Sequence, residues 1–85
     1  MNQENRLAVV AVILENPAEI QNRVNQTISE AGEIIIGRMG IPDHSRNLAT
    51  IALIVEGRED KINTLTGRLG NIPGVSARAT MAKRA

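Results

Sequence analysis

The sequence predicts an α+β fold in which a four-stranded antiparallel sheet carries two helices on one face, the elements following in the order βαββαβ. Two uninterrupted apolar runs, Leu7 to Leu14 and Leu48 to Val55, have the length of strands and are rich in Val, Ile and Leu. Each leads into an amphipathic segment with apolar residues at helical spacing and a glycine at its end. The segments after these two helices are shorter and strand-like, the last of them alternating. With 85 residues the chain makes one domain, 1–85, because either half alone would be too small to bury a core. Residues 1–5 and 83–85 are expected to fray.

The first strand, Leu7 to Leu14, is apolar at every position. Asn16, Pro17 and Glu19 then read as a helix start: Asn as the cap, Pro where its missing N–H costs nothing, and a carboxylate able to reach back to the cap. Ile20, Val24, Ile28 and Ala31 form the buried stripe, and Gly32 is expected to end the helix in a left-handed conformation. Ile34 to Met39 reads as the second strand, and Gly40 to Asn47 as a turn centred on Pro42 and Asp43. After the third strand, Leu48 to Val55, a second helix runs from Arg58 to Leu69, with Ile62, Leu65 and Leu69 facing inward and Gly70 as its stop. Asn71 to Gly74 turns the chain into Val75 to Met81, where Ser76, Arg78 and Thr80 alternate with apolar residues. This order is that of the ferredoxin-like, split β-α-β arrangement, whose first and third strands are central. Those are also the two strands that are apolar on both faces, while the last alternates as a half-exposed edge does.

Composition excludes several chemistries. There is no Cys and no aromatic residue, and His44 is the only histidine. Thiol catalysis, disulfides, iron–sulfur clusters and self-contained transition-metal sites therefore lack their reagents, and no cofactor is expected. An RNA-binding sheet would need aromatic platforms. The loop after the first strand, Glu15-Asn16-Pro17-Ala18, has no glycine-rich phosphate nest. A net charge of +1 provides no field for nucleic acid or anionic membrane. No helix-turn-helix or ribbon-helix-helix segment is present, so direct nucleic-acid binding is not expected. Without a charged leader and apolar core at the start, the expected location is cytoplasmic. His44 has no nucleophile with which it makes a motif, and the acids sit singly, so no catalytic residue is assigned.

Two features point to binding. The central strands are apolar on both faces, although the helices can cover only one; Val9, Ala11, Ile13, Ala52 and Ile54 are left to pack on something else. Such a face on a small domain without staples predicts a homo-oligomer, a dimer or tetramer, packed through sheet faces or edges. The second feature is the turn after the second strand, where Arg38, Asp43, His44 and Arg46 bring two guanidinium groups, a carboxylate and an imidazole close in sequence. That set can bind a small anion or make a pH-sensitive contact, or simply form a solvated hairpin. Gly67 inside the second helix implies close approach by the sheet, a neighbouring subunit or a ligand.

Ile36-Gly37-Arg38-Met39-Gly40-Ile41-Pro42 and Leu65-Thr66-Gly67-Arg68-Leu69-Gly70-Asn71-Ile72-Pro73-Gly74-Val75 resemble the small ACT-like proteins of the iron-only hydrogenase system regulator family. The resemblance extends from Arg6 to Lys83. It implies an ACT-like fold related to the effector domain of the nickel-responsive repressor, an oligomer, and genes placed beside hydrogenase maturation genes in anaerobic bacteria. The repressor's metal-binding His and Cys residues have no counterparts, so nickel sensing does not follow. Ala18 stands where amino-acid-binding ACT domains usually have a glycine. The function expected is therefore a non-catalytic regulatory oligomer that binds a small effector or a protein partner. The alternative is a ligand-free scaffolding subunit that docks through its apolar sheet face.

Overall fold

A computed structural model describes residues 5–83. The expectation of frayed ends, 1–5 and 83–85, falls mostly outside them. The order is β1 (Arg6–Glu15), α1 (Pro17–Glu30), β2 (Ile35–Asp43), β3 (Leu48–Gly57), α2 (Glu59–Gly70) and β4 (Val75–Met81). The four strands form one antiparallel sheet in the order β2-β3-β1-β4, so β1 and β3 are central as expected. Val10 pairs with Leu53 on one side and Ala79 on the other. Because side chains alternate across a strand, this register puts Ala8, Val10, Val12 and Leu14 on the same face as Ile51, Leu53 and Val55. Val24 and Ile28 of α1 and Ile62, Leu65 and Leu69 of α2 close over that face to make the core. Thr27 is the buried polar residue there, and its hydroxyl donates to the Arg23 carbonyl at 2.9 Å.

Four local expectations are corrected. Asn16 does not cap α1 with its side chain; it adopts a left-handed conformation (φ 51°), and its side-chain oxygen accepts from Asn47 instead. The predicted return of Glu19 to the cap is accordingly a backbone bond, Glu19 N–H to the Asn16 carbonyl at 3.0 Å. Gly32 is not left-handed: α1 finishes through Ala31 at φ −103°, with short-range bonds from Ala31 and Gly32 to Ile28 and Ser29. α2 does end at Gly70, but as its last helical residue, followed by Asn71; the glycine that needs positive φ is Gly74 (φ 87°), where Val75 N–H donates to the Ile72 carbonyl. Pro73 followed by Gly74 has the chemistry of a type II turn. Finally, β2 runs on to Asp43, with Met39 to Asp43 paired to Ala52 to Leu48. Pro42 is tolerated because β2 is an edge strand, where the missing N–H need not break a ladder bond. The turn is thus His44 to Asn47 rather than one centred on Pro42 and Asp43.

Candidate functional site

The hairpin end of the sheet gathers part of the predicted loop cluster. The Asp43 carboxylate accepts from the Ser45 hydroxyl at 2.8 Å, from Arg46 Nε at 2.7 Å and from the Arg46 N–H at 3.3 Å. These bonds, the Ser45 hydroxyl first and then the Arg46 guanidinium, hold the Asp43 carboxyl below its ordinary value. The acid is spent on closing its own turn. His44 is exposed, and with Asp43 it borders a groove of about 340 Å³ whose opposite wall is Pro17, Ala18 and Gln21 at the start of α1. Asn16 and Asn47, both left-handed, tie the two walls together: Asn16 N–H donates to the Asn47 carbonyl at 3.1 Å, in addition to their side-chain bond.

Arg38 is not part of this group. It is opposite buried Leu53 in the register, hence on the helix side of β2, and its Nη2 donates to Asn25 of α1 at 2.6 Å. Asp43 is five residues farther along, about 17 Å at the rise of a strand. The structure therefore brings Asp43, His44 and Arg46 together and leaves Arg38 with the helices.

The face of the sheet away from the helices is the larger feature. Its central strands present Leu7, Val9, Ala11 and Ile13 beside Leu48, Thr50, Ala52 and Ile54. Leu7, Val9, Ile13, Ile54, Met39, Ile41 and Ile36 each leave between 37% and 63% of their surface exposed. Val9, Ala11, Ile13, Ala52 and Ile54 thus form one continuous apolar band. The contribution of β2 was not foreseen: Met39 and Ile41 lie opposite Ala52 and Thr50, and Ile36 is the extra residue of an irregularity between Ile35 and Gly37. The alternation Gly37, Met39, Ile41 carried the signal for two of these; the bulge that turns out Ile36 has no sequence mark. On the far edge Ser76, Arg78 and Thr80 make a polar border opposite Ile13, Ala11 and Val9.

On the helix side, Arg68 of α2 donates to Glu30 of α1, which lowers the Glu30 carboxyl from its ordinary value; Gln26 adds a second bond. A Cβ built on Gly67 meets nothing within 4 Å, so packing on the chain's own sheet does not require this glycine. Among the described residues no cluster of His, Asp and Glu is arranged to hold a metal ion, and none of the described helices is long and apolar enough to cross a membrane.

Residues 6–79 match the TM1266-like family, whose description is "Iron-only hydrogenase system regulator, putative". No curated protein matches the sequence. Among solved structures, TM1266 from Thermotoga maritima is 30% identical, with a TM-score of 0.90 over 94% of this chain and 100% of that one. The "putative PII-like signaling protein" from Thermus thermophilus shares 17% identity and a TM-score of 0.66, covering 93% and 89% of the two chains. An ACT domain from the GTP pyrophosphokinase of Chlorobium tepidum shares 18% identity and a TM-score of 0.61, covering 95% and 90%. These last two similarities concern the fold, and agree with the βαββαβ sheet described above. The length of the family match, and a relative at 30% identity spanned from end to end, place this chain in the TM1266-like iron-only hydrogenase system regulator family.

Proposed function

We propose that the protein is a non-catalytic regulatory subunit that assembles with copies of itself, as a homodimer or homotetramer, through its open sheet face, and responds to a small effector or a protein partner. The observation that carries this reading is the apolar band across the face opposite the helices. A contiguous patch of this kind exceeds the scattered apolar residues of an ordinary surface and marks a place of association. The regulator family gives the context, that of the iron-only hydrogenase system. For a small effector the place is the groove at the hairpin end, where His44 is exposed beside the first turn of α1.

One observation favours the scaffolding alternative. The Asp43 carboxylate is already occupied by Ser45 and Arg46, and the Arg46 guanidinium that would meet an anion is turned onto it. A native mass spectrum of the purified protein tests both readings. The regulatory reading expects an oligomer with a reproducible additional mass, or one whose thermal midpoint rises with an added small molecule. A clean oligomer that captures one stoichiometric protein, and shifts with no small molecule, supports the scaffold. A chain that stays monomeric at micromolar concentration refutes self-assembly.

A further inference from the structure

Besides Asp43, which is opposite Leu48 at the hairpin end and is held by Ser45 and Arg46, the open face carries three charges whose positions restrict how two copies can cover each other. Arg78 lies in the middle row, Met39-Ala52-Ala11-Arg78, read across the sheet from β2 to β4. Glu56 lies beside Leu7 at one end of the central pair, and Glu15 beside Leu48 at the other. Among the described residues, the side chains of Arg78, Glu56 and Glu15 make no hydrogen bond or ion pair. At usual strand spacings Arg78 is about 7 Å from the centre of the face, and each Glu about 13 Å from it along the strands.

Two copies packed face to face are related by a two-fold axis lying between the sheets. An axis across the strands sets Arg78 on the partner's Arg78, placing like charges together. An axis along the strands sets Arg78 on the partner's Met39, with the partner's acids more than about 10 Å away. A diagonal axis makes the strands of the two copies cross at right angles, one of the two regular ways in which sheets pack. The ends of the partner's central strands then project past β4, and one of its glutamates comes within about 7 Å of Arg78 in projection, about 12 Å between backbones once the roughly 10 Å between packed sheets is included, which the two extended side chains can span. Of the two diagonals, one lays Ile41 on the partner's Ile41, sets Met39 between the partner's Ile13 and Thr50, and brings up Glu56. The other sets Met39 between the partner's Val9 and Ile54, but lays Ile41 on the partner's polar Thr80 and Arg78 over the partner's Ile13 and Thr50, and brings up Glu15.

Resting on the assembly reading above, we infer that two copies pack their open faces orthogonally, with Arg78 of each paired to the partner's Glu56. The aliphatic stem of Arg78 crosses the partner's Val9 and Ile54, and its guanidinium meets the carboxylate at the rim. Because each copy supplies both charges, the pair occurs twice and fixes orientation as well as adding attraction.

Sedimentation velocity on four proteins tests this: the unaltered chain, Arg78→Glu, Glu56→Arg and the double exchange Arg78→Glu/Glu56→Arg. Both positions are exposed, and far-ultraviolet circular dichroism checks that each variant folds. Each single reversal is expected to weaken self-association by about tenfold or more, and the double exchange to bring it back within about threefold of the unaltered protein. Singles that associate normally, or a double exchange no tighter than the singles, overturn the Arg78–Glu56 pair while leaving self-assembly in place. Rescue of Arg78→Glu by Glu15→Arg instead assigns the other diagonal and overturns this one. A monomeric unaltered chain overturns the assembly reading itself.

Discussion

The two faces of the sheet are made by the same strands, and on β1 and β3 they are nearly alike in composition. Ala8, Val10, Val12 and Leu14 point to the helices; Leu7, Val9, Ala11 and Ile13 point away. The first set is buried, the second exposed, although a transfer scale would score the two almost equally. Hydrophobicity along a strand therefore reports what a face requires, and only the placement of α1 and α2 reports what it has received. A half-buried antiparallel sheet normally alternates apolar with polar residues, as β4 does here. The central strands keep both faces apolar, and the surplus on the open face is what a second copy would cover.

The largest test of this difference uses neighbours on β3. Leu53 is fully buried under the helices, whereas Ile54 is exposed on the open face. Leu53→Ala is expected to cost about 3 kcal/mol of unfolding free energy, within the usual range of about 2–5 for such truncations. Ile54→Ala should cost less than about 1 kcal/mol at concentrations where the chain is monomeric, its main effect falling on self-association. Urea denaturation at low and high protein concentration separates the two. Equal losses in the monomer would show that the open face is part of the folded core after all.

Glycine substitutions sharpen the contrast at a smaller scale. A Cβ on Gly57 would lie 2.7 Å from Ile34 Cγ2 and 3.1 Å from its Cβ, so Ile34, buried beneath the helices, would have to move. Gly57→Ala is expected to destabilise by about 1–3 kcal/mol, as overpacking does. Gly37 faces the open side, where a Cβ would meet Ile54 at 3.5 Å, an ordinary contact. Gly37→Ala should therefore fall within about 0.5 kcal/mol of the unaltered protein. Thermal melts of the two variants side by side make the comparison; a clear loss at Gly37 would mean the open face is as tightly packed as the covered one.

Much of this was legible before any coordinates, for identifiable reasons. The apolar runs of β1 and β3 and the inward stripes of α1 and α2 are periodic signals set by burial, and the periodicity survives in the sequence. The open face was readable for the same reason, at Val9, Ala11, Ile13, Ala52 and Ile54. The ends of elements were harder. Asn16 reads as a cap because its side chain usually bonds the helix it precedes, yet here a residue 31 positions later takes that side chain. Pro42 reads as a turn because it is the edge position of β2, not the residue itself, that tolerates it. The candidate site divided for a simpler reason: sequence distance placed Arg38 near Asp43, but strand alternation sends an even-numbered and an odd-numbered position to opposite faces, and the extended strand then separates them.

The outer surface of α2 offers the next test. A methyl group at Gly67 would contact nothing in the folded chain, and glycine in a helix costs about 1 kcal/mol relative to alanine. Gly67→Ala should thus stabilise the monomer by about 0.5–1 kcal/mol, measured by urea denaturation at low concentration. If the same variant also weakens self-association or partner capture, the glycine is kept for a close approach from outside, and a second surface besides the open face takes part in assembly.

The smallest effect expected is on the helix side and depends on pH. Glu30 is held below its ordinary value of 4.5, first by the hydrogen bond from Arg68 and then by that from Gln26. A carboxyl whose value is lowered on folding binds its proton more readily in the unfolded chain, so it adds stability above about pH 4.5, and that stability is lost as the pH falls through the lowered value. Asp43, lowered by Ser45 and Arg46, acts in the same direction below its ordinary value of 3.8. Glu30 is exposed and Asp43 partly so, and the contribution is therefore small and is reduced further by salt. Arg68→Gln removes the cation that joins α2 to α1 and should make the thermal midpoint less dependent on pH between about 5 and 3, most visibly at low ionic strength. An unchanged acid slope in that variant would mean that the bridge between the helices contributes nothing to the covered side, whose stability would then come from the apolar residues beneath it alone.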